Sequence, residues 1–174
     1  TGDGMAHTIE DIAIFATTTG RIQDDSDALI GEAGVLDSDQ PDPSTWHTVS
    51  LDGSYTSPVA FAQIMTYNGE DPSHTRIRDV GSDSFDIKIE EWNYLNGSHD
   101  TERIGYIVLE EGVHELEGRL PIEAGTTTAD HEFNHYSYSE RFECNPVLVS
   151  HCQTHNGWHE IVTRNRDVTR SGAE

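Results

Sequence analysis

The sequence predicts an all-β protein made of antiparallel β-sandwich units in tandem. Three observations carry that prediction. The first is an internal repeat: Pro58 to Val80 returns without a gap 88 positions later as Pro146 to Val168, with 10 of 23 positions identical. Among the identities are Thr66/Thr154, Asn68/Asn156, Gly69/Gly157, Arg76/Arg164, Arg78/Arg166 and Asp79/Asp167. The second is a series of short apolar or alternating runs separated by turn dipeptides, the pattern of an antiparallel sandwich. The third is that no stretch shows the 3.6-residue periodicity of an amphipathic helix.

The elements follow in order. Trp46 to Leu51 is a short strand, and Val59 to Thr66 is a mostly apolar run suited to a central strand. Asn68-Gly69 and Asn156-Gly157 are turn dipeptides, because both residues tolerate positive φ. Thr75 to Val80 resumes extended structure, and Gly81 to Ser84 turns the chain again. Phe85 to Trp92 alternates strictly, placing Phe85, Ile87 and Ile89 on one face. After a turn at Asn96-Gly97 comes the apolar strand Ile104 to Leu109; Glu110 to Leu120 carries two glycines and reads as loop.

The repeat organises the chain. Leu29, Glu32, Ala33 and Gly34 recur as Leu120, Glu123, Ala124 and Gly125, and His7 to Gly20 matches His99 to Gly112 more weakly, with His7/His99 and Glu10/Glu102 identical. Self-similarity of this kind is the mark of a repeat architecture. Residues 1–31 read as the closing strand and linker of a preceding repeat, 32–122 as one complete repeat, and 123–174 as the first part of another. On this reading the chain is a window in a longer array, or one whose last strand comes from elsewhere. The final unit stops where the complete one has Asp86, before the strand Ile87 to Trp92. The expectation is that a strand from His7 to Gly20, of the same chain or of a neighbouring copy in an assembly, fills that open edge, with Ile12 and Ile14 pointing into one core.

Composition narrows the function classes. Asp and Glu number 32 against 10 Lys and Arg, a formal net charge of −22, and Lys88 is the only lysine. That balance reads as adaptation to multi-molar salt, where the Debye length is about 3 Å or less and acidic self-repulsion is screened. Nucleic acid is an unsuitable partner, since phosphate contact needs basic patches. No apolar run has the length of a membrane span. On a straight strand Cys144 and Cys152 would lie roughly 26 Å apart, beyond disulfide reach, although a turn at Asn145-Pro146 would bring them closer.

The complete repeat carries Tyr55 before Pro58-Val59, then Arg76-x-x-x-Val80-x-x-x-x-Phe85, an alternating strand ending at Trp92, and a closing strand IGYIVLE. In that order and spacing, Thr45 to Glu110 resembles the H-type lectin domain, a six-stranded antiparallel β-sandwich. The resemblance implies binding of galactose-type sugars at subunit contacts, with Arg76 (repeated as Arg164) and Trp92 at positions matching the family's site. Asn93 stands where the family has a histidine; its amide can donate to and accept from hydroxyls.

Other readings of these residues stand beside that one. Arg76 can pair with Glu90 or Glu102, or meet another subunit, and Trp92 can cap a sheet end. The ten histidines raise metal binding. His155 and His159 flank the Asn156-Gly157 turn, which could bring them together, and imidazoles ligate zinc at about 2.0–2.1 Å. The other repeat has Tyr67 and Asp71 there, however, which favours plain surface histidines. No G-x-S-x-G, H-E-x-x-H or phosphate-binding glycine loop occurs.

The resulting expectation is a non-enzymatic protein without cofactor, from a salt-loving microbe or its virus, displayed extracellularly on a cell or virion. It would engage a glycan or surface receptor, or build a fibre, appendage or spike by binding its own copies as a homo-oligomer. One consequence is directly measurable: the thermal midpoint is expected to rise from low to multi-molar salt, as screening relieves carboxylate repulsion. A flat or falling midpoint in calorimetry would exclude salt adaptation.

Overall fold

A computed structural model describes residues 16–116 and 118–174, and among these it contains strands and no helix. The strands are β1 (Gly20–Gln23), β2 (Leu29–Gln40), β3 (His47–Ser50), β4 (Pro58–Ile64), β5 (Ser73–Arg78), β6 (Ser84–Glu91), β7 (His99–Glu110), β8 (Gly112–Leu116), β9 (Leu120–Ala124), β10 (Tyr136–Ser137) and β11 (Gly172–Ala173). Strands β1 to β7 form a sandwich, with β1-β2-β7-β4 facing β3-β6-β5 and every pairing antiparallel.

The alternation in β6 drives the burial. Phe85, Ile87 and Ile89 are at most 1% exposed and point at Ile104 and Val108 of β7, with Ala60, Ala62 and Ile77 filling the sides. Each side chain returns roughly 1.5–3 kcal/mol of apolar burial, so these few residues bind the two sheets together. Val35, on the outer face of β2, is exposed instead, the alternation of a sheet with one wet side.

Two expected elements come out differently. Glu110 to Leu120 is not loop: β8 pairs with β9, and the turn between them includes Gly118 at φ 82° and Arg119 at φ 63°. The glycines that suggested a loop shape this hairpin. Asn68-Gly69 closes no hairpin and takes no positive φ; β4 belongs to one sheet and β5 to the other. Positive φ falls instead on Asp79 (50°) and its repeat Asp167 (51°), just after β5 and its counterpart.

From Gly112 onward the chain rebuilds one corner of the first unit with matching contacts. The β8–β9 pairing repeats β1–β2, with Gly112 opposite Ala124 as Gly20 is opposite Ala33. β10 and β11 repeat Val49-Ser50 against Ser84-Phe85. Thr75 Oγ1 donates to Ala62 O at 2.9 Å, and Thr163 Oγ1 donates to Ser150 O at 2.9 Å. Arg78 bonds Asp86 and lies 4.1 Å over Trp46; Arg166 bonds Glu174 and lies 3.9 Å over Phe133. Gly34 and its repeat Gly125 each face a tyrosine hydroxyl, of Tyr106 and Tyr136, where a Cβ would collide.

The expected overlay of two strand-turn-strand windows is nevertheless corrected. Pro58–Ile64 and Ser73–Arg78 are strands, whereas 146–168 forms none. In the first unit β4 ladders onto β7 and β5 onto β6, whereas 146–168 pairs in no such ladder. The Thr163–Ser150 bond and the left-handed aspartate survive because they are local to the corner. Residues 1–15, which hold Ile12, Ile14 and most of His7 to Gly20, lie outside the described residues, so the strand expected there does too.

Truncating Ile87 tests the core. Ile87→Ala is expected to destabilise the protein by about 2–5 kcal/mol in denaturant unfolding at high salt. A loss well below 1 kcal/mol would place the core elsewhere.

Candidate functional site: a charged junction between the two units

The sandwich leaves β4 and β5 as edge strands of its two sheets, with backbone groups open to pairing. The second unit covers them. Gln153 Oε1 accepts from the backbone N–H of Ala60 on β4 at 3.1 Å. The Thr75 hydroxyl on β5, which donates to Ala62 O, also lies 3.0 Å from His151 Nε2. Trp46, before β3, meets the His155 ring edge-on with centroids 5.3 Å apart.

Arg76 is the centre of this junction. It is 1% exposed; Nη1 bonds Glu90 Oε2 at 2.9 Å, and the guanidinium also donates to His159 O and Thr154 O, each at 3.4 Å. Lys88 Nζ holds the other oxygen of Glu90 at 2.8 Å, and His155 Nε2 lies 3.7 Å from it. His74 Nε2 sits 3.3 Å from Glu90 Oε2 without hydrogen-bond geometry, its ring tilted against Trp92. Burial pushes the Glu90 carboxyl up, but the neighbouring His74 and Lys88 and the charge of Arg76 outweigh it and hold the group at about 2. Buried clusters of this type contribute little net stability when intact, yet removing one partner costs about 3–5 kcal/mol.

The residues singled out from sequence are distributed unequally. Arg76 pairs with Glu90 and not with Glu102. Its repeat Arg164 is exposed. Trp92 is half-buried, Asn93 beside it is exposed, His155 lies in the junction and His159 is exposed beyond its carbonyl. Among the described residues no group of three or more His, Cys, Asp or Glu is placed to hold a metal, and Cys144 and Cys152 are free thiols.

A second buried polar cluster went unread in the sequence. His99, on β7, lies 3.1 Å from Glu91 Oε1 through Nδ1 and 3.4 Å from Glu102 Oε1 through Nε2. Glu102 Oε1 accepts from the backbone N–H groups of Asn68 (2.7 Å) and Gly69 (2.9 Å), and Oε2 from the Thr66 hydroxyl. This explains why the Asn-Gly dipeptide needs no positive φ: a buried carboxylate anchors its amides. Burial raises the Glu102 carboxyl, and these donors lower it further still, so the group stays ionised. The repeated pair His7/His99 and Glu10/Glu102 was the available signal. A polar cavity of about 430 Å³ opens beside His99, lined in part by Asp39, Glu70, Asp71 and Asp100.

Acid is expected to weaken the junction in two stages. Burial, then the nearby His74 and Arg76, pulls the pKa of His151 down; burial, then Arg76 and Lys88, does the same to His155. The unfolded chain therefore binds more protons, so this stabilisation is full above about pH 6.5 and is lost as pH falls through the folded values. The contribution of Glu90 is present above about pH 4.3 and disappears toward pH 2. Unfolding midpoints should fall between pH 7 and 5, and the double variant His151→Gln/His155→Gln should flatten that slope. An unchanged slope in the variant would contradict the assignment.

Comparison with known proteins gives one informative match. The chain is 32% identical over 139 residues to "Halomucin" of Haloquadratum walsbyi. That alignment covers 74% of this chain and 2% of the relative, so the chain spans a small fraction of the protein it resembles. No family model matches the sequence. No solved structure matches it either.

Proposed function

We propose that this chain is a non-catalytic module of an extended, surface-exposed protein of a salt-adapted organism, in which sandwich units stack against one another. The carrying observation is the junction. The second unit covers the β4 and β5 edges of the first, caps Arg76 with two carbonyls and satisfies an edge-strand N–H. A repeat that covers the open edges of its neighbour gives an array of the quasi-one-dimensional kind. The likeness to a small part of a very long protein, and the net charge of −22, support the same reading. At this charge the carboxylates keep a long array hydrated and soluble in concentrated salt.

A second reading is glycan contact of the H-type lectin kind, and the observation favouring it is local. Trp92 is partly exposed, and next to it stand exposed Asn93 and Tyr94, the latter 77% accessible. Aromatic faces stack on sugar C–H groups, and the amide can bond hydroxyls. Arg76 would not contribute in this chain, since its guanidinium is enclosed in the junction.

A glycan array in multi-molar salt separates the two. The stacking-module reading expects no retained sugar. Binding to galactose-type glycans that falls about tenfold or more in Trp92→Ala would instead establish the lectin reading.

A further inference from the structure

We propose that Asn96, in the turn between β6 and β7, is a modification site that carries an N-linked glycan. The inference rests on the surface-exposed reading above and adds to it a covalent modification at one residue.

The sequence holds seven asparagines, and only Asn96 is followed two positions later by a hydroxyl residue, in Asn96-Gly97-Ser98. An asparagine two residues before serine or threonine, with no proline between, is the acceptor for N-linked sugar on surface loops of exported proteins. So short a pattern also arises by chance, and the local geometry distinguishes the two cases.

Asn96 is exposed, in the loop that joins Glu91 at the end of β6 to His99 at the start of β7. Its Oδ1 accepts from the backbone N–H of Ser98 at 2.7 Å and from the Ser98 hydroxyl at 2.6 Å. The oxygen is thus held, while Nδ2 has no partner among the described residues. Asn68 and Asn134 are the reverse: their Nδ2 groups are spent on Thr101 O at 2.8 Å and on Glu132 O at 2.9 Å. The middle residue fixes the turn. Gly97 has φ 75°, its N–H donates to Glu91 Oε2 at 3.0 Å, and a Cβ there would lie 2.6 Å from Pro43 Cγ. Since Glu91 also meets His99, the buried polar cluster positions the acceptor turn.

The donor class this site takes is an oligosaccharide linked through its anomeric carbon to a polyprenyl phosphate. Nδ2 of Asn96 attacks that carbon, so a new C–N bond forms and the C–O bond to phosphate breaks. The phosphate leaves with the electron pair, and Nδ2 gives up one proton to a base of the transferase; nothing is oxidised or reduced. Oδ1 keeps both of its acceptor positions, so the turn survives the transfer. Tyr94, two residues away and 77% accessible, offers an apolar face to the first sugar. Among the described residues no hydrogen bond or ion pair links 93–98 to the second unit, so a glycan here leaves the junction at β4 and β5 intact.

Glycopeptide mass spectrometry of the chain isolated from the organism that makes it tests the proposal. Sugar is expected on Asn96 in most molecules. Produced in the same organism, Asn96→Gln and Ser98→Ala should lose it completely, whereas Ser98→Thr, which keeps the hydroxyl, should retain it. Recovery of the chain from the medium or by protease shaving of intact cells reads the surface location separately. A bare Asn96 in chain recovered that way overturns the glycosylation alone, and a bare Asn96 in chain found only inside the cell overturns the surface reading with it. Sugar that persists at Asn96 in Ser98→Ala would overturn the assigned acceptor motif.

Discussion

Ladder pairing along β7 is the interaction on which the rest of this molecule depends. β7 lies between β2 and β4, so its backbone is bonded along both edges, and its inward residues Ile104 and Val108 meet the alternating face of β6. A twelve-residue strand used on both sides fixes the register of its two neighbours at once. It also carries His99 and Glu102, so the same strand that closes one sheet anchors the sheet-crossing turn at Asn68-Gly69. The second unit shows the dependence by contrast. Its corner bonds form, but the stretch equivalent to β4, which pairs with no neighbouring strand, is not a strand itself.

Charge is handled differently inside and outside. On the surface, carboxylates outnumber cations by far, and salt screening governs their repulsion. Inside, the few cations are concentrated: Arg76 and Lys88, both nearly inaccessible, converge on Glu90. Such buried pairs are screened much less by added salt than surface ones. The junction between units thus relies on desolvated contacts that concentrated brine leaves intact, while the acidic exterior depends on that brine. Arg103–Asp37 on the outer face of β2 and β7 is the opposite type, half-exposed and of small energetic worth.

Repetition with substitution separates what must recur from what is free to change. Thr75/Thr163, Arg78/Arg166 and Asp79/Asp167 keep their identities because each performs the same local bond in both units. Side chains on the turn of the second unit differ from their repeats in the first: His155, which meets Trp46, stands where the first unit has Tyr67, and His159 where it has Asp71. A repeat that keeps its fold-forming residues while changing side chains on the turn can vary its junctions without losing its fold.

Taken alone, the sequence determined the all-β class, the repeat, the alternating face of β6 and the strands β3 to β7, because side-chain periodicity and the recurrence of identical residues are local properties of the chain. It did not reveal β2, whose run LIGEAGVLDSDQ mixes glycine and acidic residues and becomes a strand only between β1 and β7. It likewise read β8 as loop, since two glycines outweighed a pairing partner not yet visible. The tertiary structure alone decided that Arg76 faces the second unit, that His99 joins Glu91 to Glu102, and that Asn68-Gly69 crosses between sheets. Each of these depends on residues brought together from distant parts of the chain. Backbone preference and spacing carry no information about a partner until the sheets have packed.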